Sequence, residues 1–321
     1  MREIKSAILS FSLLLFACSP VMPIDDPFSS AASNDIVSPN KLKILICDVG
    51  QGDSTIVVSP TGRTLLIDAG PSGSGTSSVL PILENRQIDR LDWIVLSHYD
   101  ADHIGGLSEI LLGQDGLEGT EDDYFPSRSF LDRGTATSKN TPAYFQYLAS
   151  SEKEGRREAV AGEVIDLGGG ATAEIIVVNG RFTDGKVIHL NPDEENEASI
   201  GILIRYGDFS YFTAGDLTGG AAPGGYETKD LETHVGDIIG DIDILHAGHH
   251  GSASSSNSSF LESTHPEAVI ISVGRENDYG HPSSEVLERL DAIGTSVYRT
   301  DLLGHLEVVT DGDEIEIQPL E

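Results

Sequence analysis

One short segment concentrates side chains that can bind a metal ion. Within six residues it carries His98, Asp100, Asp102 and His103, and it follows the apolar run 93–96. Carboxylates and imidazoles gathered at one buried point repel or dehydrate one another unless a cation neutralises them. Imidazole nitrogen and carboxylate oxygen together suit zinc, iron or manganese. The spacing therefore predicts a metal site where a buried strand ends.

Two further aspartates stand at the ends of other apolar segments. Asp68 closes the segment 64–68, and Asp216 follows the segment 209–214. Taken alone, a carboxylate after a strand is normally a turn former or a helix cap. Binding sites also gather where the strands of α/β sheets end, so we expect both aspartates to converge on the first cluster.

Histidines gather at the end of a later apolar segment, 242–246. His246, His249 and His250 lie close together there, in a chain with ten histidines. The glycines beside them let the backbone approach a ligand closely. Farther along, His281 follows a tyrosine and a glycine, and it is interpreted as a catalytic acid, a substrate contact or the start of a helix. We expect the group around His246, His249 and His250 to belong to the metal site.

Short apolar runs alternating with turn signals predict the elements that position these residues. The predicted strands cover 42–49, 54–58, 64–68, 93–97, 173–178, 200–206, 209–214, 242–246, 268–273, 296–300, 306–310 and 314–318. The predicted helices cover 77–86, 104–112, 143–152, 226–235 and 283–293. Strands joined by tight turns, followed by strands separated by helices, predict an α/β (α+β) fold with mixed sheets and helices outside.

The charge of the chain limits its partners. The 321 residues include 52 acidic and 20 basic ones, for a net charge of −32. Such a surface repels polyanions at long range and lacks the basic face that is typical of a nucleic-acid-binding module. Bound cations can still create a local positive focus, so a nucleic-acid hydrolase stays open.

The N-terminus has the three parts of an export signal. A positively charged start precedes eleven apolar residues, which are fewer than the roughly 20 that span a bilayer, and a small residue precedes Cys18. The last four of these residues resemble a bacterial lipobox. We therefore expect a signal peptide at 1–17, lipidation of Cys18 and a flexible, membrane-anchored tether at 18–40. The alternative is an ordinary cleaved signal peptide and secretion.

Six motifs in a fixed order resemble the metallo-β-lactamase superfamily, and in particular the extracellular hydrolase domain of ComEC-type DNA-uptake competence proteins. The motifs are DVGQGDS at 48–54, LIDAG at 66–70, LSHYDADHIGG at 96–106, GD at 215–216, GHHGS at 248–252 and YGHP at 279–282. The resemblance implies a four-layer αββα metallo-β-lactamase sandwich over a hydrolase domain at 41–321. It places the active site at one edge, between the two sheets.

The resemblance also implies a site for two divalent metal ions, Zn²⁺ or Mn²⁺. The implied roles are His98 and Asp100 on one metal, Asp102 and His103 on the other, Asp216 as the bridge, His250 as the last histidine ligand and Asp68 as a residue that orients the ligands.

Two departures from the superfamily pattern concern the first metal. The superfamily usually has a histidine in place of Asp100, and the ComEC-like branch shares the aspartate. It also usually has a histidine before the segment 200–206, where this chain has none. The first metal is then either weakly held or completed by Glu195 or Asn196. An oxygen-rich site of this kind accepts manganese as well as zinc.

The expected reaction is hydrolysis by a metal-activated hydroxide. Asp102 binds metal and helps to orient the nucleophile, while His249 or His281 contacts the phosphate or protonates the leaving group. The favoured substrate is a phosphodiester, in nucleic acid or in a phosphorylated envelope component such as phosphocholine, and the acidic surface favours the smaller ester. The alternatives are lactone or β-lactam hydrolysis at the same site, and a lipid-anchored binding protein without catalysis.

Overall fold

The structure is a computed structural model. It describes residues 4–6 by their backbone, and residues 40–134, 139–151, 155–222 and 227–320 in full. Cys18, the tether up to residue 39 and the expected signal peptide apart from 4–6 lie outside the described residues. Among the described residues, no helix is both long enough and apolar enough to cross a membrane.

A nine-stranded mixed sheet, which we call sheet A, forms one half of the fold. With strands numbered along the chain, its members are β1 Ile4–Ser6, β2 Leu42–Ile46, β3 Thr55–Val58, β4 Thr64–Ile67, β5 Trp93–Val95, β6 Ser129–Asp132, β7 Arg157–Glu158, β16 Leu306–Thr310 and β17 Ile315–Pro319. The spatial order is β1-β17-β16-β2-β3-β4-β5-β6-β7. Strands β4 to β7 run parallel to one another, and β16, β2, β3 and β4 pair antiparallel.

An eight-stranded mixed sheet, sheet B, forms the other half. Its members are β8 Val164–Gly168, β9 Ala171–Val178, β10 Arg181–Phe182, β11 Gly201–Tyr206, β12 Phe209–Thr213, β13 Ile244–His246, β14 Ala268–Ile271 and β15 Ser296–Arg299. The order is β10-β9-β11-β12-β13-β14-β15, and β8 pairs with β9. Strands β12 to β15 are parallel.

Helices cover the outer faces of both sheets. They are α1 Leu80–Asn85, α2 Ala101–Ile104, α3 Leu107–Leu111, α4 Pro142–Ser151, α5 Glu232–Ile239, α6 Ser258–Thr264, α7 Ser284–Ile293 and α8 Thr300–Leu303, with a π-helical segment at Gly75–Val79. One apolar cluster lies between the sheets, a second joins sheet A to α1, α3 and α4, and a third joins sheet B to α5, α6 and α7. Three buried interfaces make four layers, so the expected αββα sandwich is confirmed.

Strand β2 shows why the sequence produces this layering. Its alternate residues Leu42, Ile44 and Ile46 belong to the cluster between the sheets, whereas Leu45 belongs to the cluster under the helices. Successive side chains of a strand point to opposite faces. A continuous apolar run is therefore what a strand with both faces covered requires.

Two predicted helices differ from the structure. The helix expected at 104–112 is divided into α2 and α3 at Gly105 and Gly106. A Cβ on Gly106 would lie 2.3 Å from the carbonyl oxygen of Ala69, so glycine is required for this close approach. The helix expected at 226–235 was placed wrongly, because α5 begins at Glu232. Asp230 accepts a hydrogen bond from the Thr233 N–H at 3.0 Å and marks the start of its first turn.

The parallel strands bring the predicted site residues to one edge of the sandwich. In sheet A, Asp68 follows β4, and the segment with His98 follows β5. In sheet B, Asp216 follows β12, and His250 follows β13. Because parallel strands end at a common edge, these loops meet between the two sheets, as in other open α/β sheets.

Candidate metal centre

Five of the six predicted ligands lie in overlapping groups. His98, His103 and Asp216 form one group, and Asp102, His103 and His250 form another. Within each group, one potential ligand atom from each residue lies within 4.8 Å of the others. His103 belongs to both groups, so the two are parts of one centre.

Asp68 orients this centre from behind. Its side chain is buried, and its backbone is left-handed, with φ of 57°. Its carboxylate accepts hydrogen bonds from the Ser97 N–H and hydroxyl, each at 2.7 Å, and from Nδ1 of His103 at 2.8 Å. Because Nδ1 donates to this carboxylate, Nε2 is the nitrogen that faces Asp216, 3.1 Å away.

The two other imidazoles are held in the same way. Nδ1 of His250 lies 3.0 Å from the carbonyl oxygen of Ser272, which can only accept, so Nδ1 carries the proton. The Ser97 hydroxyl donates to Asp68 and therefore accepts from Nδ1 of His98 at 3.1 Å. In all three rings Nδ1 is thus occupied from behind, and Nε2 is the nitrogen directed at the centre.

The inward-facing atoms of the centre have no hydrogen-bond partner among the described residues. They are Nε2 of His98, His103 and His250 and Oδ1 of Asp216, and all four are buried. Buried polar atoms in native proteins are nearly always paired, and each unpaired one costs about 1–3 kcal/mol. A cation accepts lone pairs from nitrogen and oxygen together. The residues present therefore fit a bound transition metal.

Asp216 lies between the imidazoles and faces them with both oxygens. Its Oδ1 is 3.1 Å from Nε2 of His103 and 3.6 Å from Nε2 of His250. Its Oδ2 is 3.8 Å from Nε2 of His98 and 3.6 Å from Nε2 of His249. A carboxylate in this position can bridge two cations.

The electrostatics of the centre favour positive charge. Burial by itself would lower the pKa of His103, but the carboxylates of Asp216 and Asp68 raise that pKa well above its usual range. Burial would raise the pKa of Asp216, but His249, His103 and His250 hold it well below its usual range. The carboxylates that stabilise a proton on the ring would equally stabilise a metal ion at the same nitrogen.

Asp102 lies on the open side of the centre. Its side chain is 30% exposed, and its Oδ2 is 3.3 Å from Nε2 of His250. Its carbonyl oxygen accepts a hydrogen bond from the Asp53 N–H at 3.2 Å. Asp102 therefore faces both the ligand cluster and solvent, as a group that orients water must.

Asp100 is placed differently from the other predicted ligands. Its Oδ2 lies 3.6 Å from Nε2 of His98, but it belongs to none of the groups whose ligand atoms converge within 4.8 Å. Its Oδ1 instead pairs with the ammonium of Lys139, a residue to which the sequence pattern assigned no role.

The two residues considered as completing ligands of the first metal are also engaged elsewhere. Both oxygens of Glu195 accept hydrogen bonds from the guanidinium of Arg133, at 2.7 and 2.6 Å, and Oε1 also accepts from the Tyr99 N–H at 2.9 Å. Nδ2 of Asn196 lies 3.4 Å from Nε2 of His249. The structure therefore does not place Glu195 as a ligand.

His249 and His281 stand together beside the ligand cluster. Their ring centroids are 5.4 Å apart, and the exposed Tyr279 stacks on His281 at 5.7 Å. Burial, with His249 and His250 nearby, lowers the pKa of His281 to about 4. Nε2 of His249 lies 3.6 Å from Oδ2 of Asp216, and His281 lies next to His249 on the side of the exposed Tyr279.

Sequence reasoning assigned no function to Asp53 and left the role of His246 open. Oδ1 of the buried Asp53 lies 3.6 Å from Nε2 of His246 and 3.6 Å from Nδ1 of His250. His246 also contacts the Tyr211 hydroxyl and the Ser272 hydroxyl, each at 2.9 Å. Asp53 belongs to the motif at 48–54, so its acidic type within that motif was the available signal.

Comparisons with known proteins identify one family and several relatives. Residues 47–177 match the family model described as metallo-beta-lactamase superfamily. ComE operon protein 3 of Bacillus subtilis (strain 168) is 28% identical over 278 residues, which cover 81% of this chain and 32% of that protein. Competence protein ComA of Neisseria gonorrhoeae is 27% identical over 276 residues, which cover 85% of this chain and 33% of that protein.

The chain thus spans about a third of the length of these relatives. Among solved structures, a diphosphatase from the PhnP family superposes with a TM-score of 0.46 and 15% identity, over 87% of this chain and 99% of that one. The family match, the order of the motifs and the four layers lead to one assignment. Residues 47–177 match the metallo-β-lactamase superfamily, and the chain as a whole resembles the ComEC-type competence proteins.

Proposed function

We propose that this protein is a metal-dependent hydrolase that cleaves phosphodiesters. The observation that carries the proposal is the arrangement of three histidines around Asp216. In each, Nδ1 is occupied by a hydrogen bond from behind, and Nε2 is buried, unpaired and directed at the same carboxylate. Such preorganised lone pairs are expected of a catalytic metal site.

The proposed ligands are those of the sequence prediction. They are His98, Asp100, Asp102, His103, Asp216 and His250. Two divalent cations held there, Zn²⁺ or Mn²⁺, would lower the pKa of water and stabilise the negative charge that develops on a phosphate. Asp68 keeps His103 in the tautomer that presents Nε2, and Asp102 is exposed enough to accept a hydrogen bond from an attacking water.

The rings of His249 and His281 are proposed to act on the substrate. With a pKa of about 4, His281 is neutral at pH 7 and can donate a hydrogen bond to a phosphate oxygen. Burial also lowers the pKa of His249, although the Asp216 carboxylate opposes this shift. One of the two rings contacts the phosphate or passes a proton to the leaving group.

Two observations bear on the kind of phosphodiester. One relative is named as a competence protein, which favours a nucleic acid. The net charge of −32 disfavours long polyanions and favours a smaller ester, such as a phosphorylated envelope component. We also propose that Cys18 carries a lipid anchor, which would hold the protein in the cell envelope.

The test is a reconstitution assay. The purified protein is treated with chelator, reloaded with Mn²⁺ or Zn²⁺ and assayed with bis-p-nitrophenyl phosphate, single-stranded DNA and nitrocefin. We expect metal-dependent turnover of at least one phosphodiester, and more than about a 100-fold loss of kcat/KM in Asp216→Asn, because the bridging carboxylate is removed. Asp291→Asn, on the exposed side of α7, is the matched control and should keep full activity.

Two results would contradict the proposal. A folded, metal-loaded protein that cleaves neither phosphodiester would remove the assignment. Turnover of nitrocefin alone would replace it with β-lactam hydrolysis at the same centre.

A further inference from the structure

A row of alternating charges leads from the protein interior to the metal centre. The guanidinium of Arg133 holds both oxygens of Glu195, at 2.7 and 2.6 Å. Oε2 of Glu195 lies 3.8 Å from Nζ of Lys139, and the Lys139 ammonium pairs with Oδ1 of Asp100. The positive charge of Lys139 is thus shared by an anchored carboxylate and a proposed metal ligand.

The buried end of this row is fixed. The side chains of Arg133 and Glu195 are 5% and 7% exposed. The Arg133 guanidinium lies 4.5 Å above the ring of Tyr99, whose N–H also donates to Glu195. Moving Glu195 would leave a buried guanidinium unpaired, which is costly. Glu195 therefore holds the ammonium of Lys139, which is 17% exposed, near Asp100.

The two proposed metal positions consequently differ in charge. On the side of His98, Asp100 is the nearest carboxylate besides the shared Asp216, and Lys139 neutralises it. At the other proposed metal position, no lysine or arginine among the described residues pairs with the carboxylates. That position is formed by His103 and His250 with Asp102 and Asp216, and the carboxylates of Asp53 and Asp68 contact the same histidines.

We propose that Lys139 makes the metal centre unequal. The centre holds one divalent ion tightly on the side of His103 and His250, and a second ion on the side of His98 at least about tenfold more weakly, because affinity follows the charge and number of the ligands. Lys139 is a positioning residue that withholds Asp100 from the second ion. This inference rests on the proposed function, since it assigns affinities to the same two positions.

The test is a metal titration of the chelator-treated protein, by calorimetry, with Mn²⁺ and Zn²⁺ used separately. The wild-type protein should bind a first equivalent tightly and a second at least about tenfold more weakly. Lys139→Met, and independently Lys139→Gln, should tighten the second equivalent by about tenfold and leave the first unchanged. Lys139→Arg should behave as wild type, because it keeps the charge.

Lys229→Met is the matched control. Lys229 also pairs with a carboxylate, that of Glu194, the sequence neighbour of Glu195. Because Glu194 is not a proposed metal ligand, replacing Lys229 should leave both metal affinities unchanged. Two equally tight equivalents in the wild type would overturn the inference. So would an unchanged second affinity in both folded Lys139 variants. A wild-type protein that binds neither metal would instead overturn the proposed function.

Discussion

At the residue scale, the centre is determined by what lies behind each imidazole. A carboxylate, a hydroxyl and a backbone carbonyl hold Nδ1 of His103, His98 and His250 in turn. These contacts fix the tautomers, and they cost no reorganisation when a metal binds. The partners behind the rings should therefore influence metal affinity almost as much as the ligands themselves.

This argument gives a prediction for Asp68. In Asp68→Asn, one oxygen is replaced by an NH₂ group that faces the donors Ser97 and His103. We expect the affinity for Zn²⁺ or Mn²⁺ to fall by about 10–100-fold, as measured by competition with a chromophoric chelator.

A buried aspartate remote from the centre supplies the control. Asp92 accepts hydrogen bonds from the Thr64 N–H at 3.0 Å and the Ser127 hydroxyl at 2.8 Å. Asp92→Asn should lower stability while leaving metal affinity intact. Equal metal affinities in the two variants would show that Asp68 serves the fold alone.

The sequence predicted the site residues that directly follow a strand. It missed the site residues that do not follow a strand. Asp68 and Asp216 could be placed because an apolar run ends just before each of them. Asp53 precedes β3 rather than following a strand, so the same rule does not reach it. Lys139 meets Asp100 across 39 residues of sequence, and no apolar period predicts that contact.

At the element scale, the apolar pattern of the sequence predicted which residues are buried better than it predicted which residues pair in strands. The strand predicted at 42–49 ends at Ile46, yet Cys47 and Val49 are still buried. Residues just beyond a strand end can remain buried and apolar although they no longer form the hydrogen bonds of the sheet. Predicted strand ends therefore extended too far at several positions, and the short strands β6, β7, β8 and β10 were not predicted.

Helix α5 supplies a prediction for pH. Burial raises the pKa of Glu232 to about 7, although the N–H groups of Ser256 and Asn257 donate to its carboxylate. Because the folded state binds this proton more tightly than the unfolded state, stability is lost as pH rises through the window between the usual pKa of 4.5 and about 7.

The measurement is urea unfolding of the wild type and Glu232→Gln at pH 5 and pH 8. Between these values the wild type should lose about 2–3 kcal/mol of unfolding free energy relative to the variant. Glu288→Gln, on the exposed side of α7, is the control and should follow the wild type. A constant difference between wild type and Glu232→Gln would show that Glu232 does not titrate there.

At the scale of the whole molecule, the four layers were implied by the resemblance, because apolar periods alone predict strands and helices without specifying which sheet each strand joins. The surface charge is a property of the whole chain and could be read directly. With a net charge of −32, the protein repels a long polyanion, whereas the proposed metal centre would attract a single phosphate.

Salt should therefore act differently on long and short substrates. Raising NaCl from about 20 mM to about 200 mM shortens the screening length roughly threefold. We expect the KM for single-stranded DNA to fall by about threefold or more, and that for bis-p-nitrophenyl phosphate to change little. A KM for DNA that rises with salt would indicate a basic DNA-binding face, contrary to the charge of this chain.

The central claim is that the inward-facing atoms of His98, His103, His250 and Asp216 exist to hold a metal. Its most direct test is mass-spectrometric metal analysis of folded protein that was purified without any chelator. We predict at least one zinc or manganese ion per chain in the wild type and in Asp291→Asn, and a large loss of that metal in Asp216→Asn. A folded wild-type protein without tightly held transition metal would contradict the account.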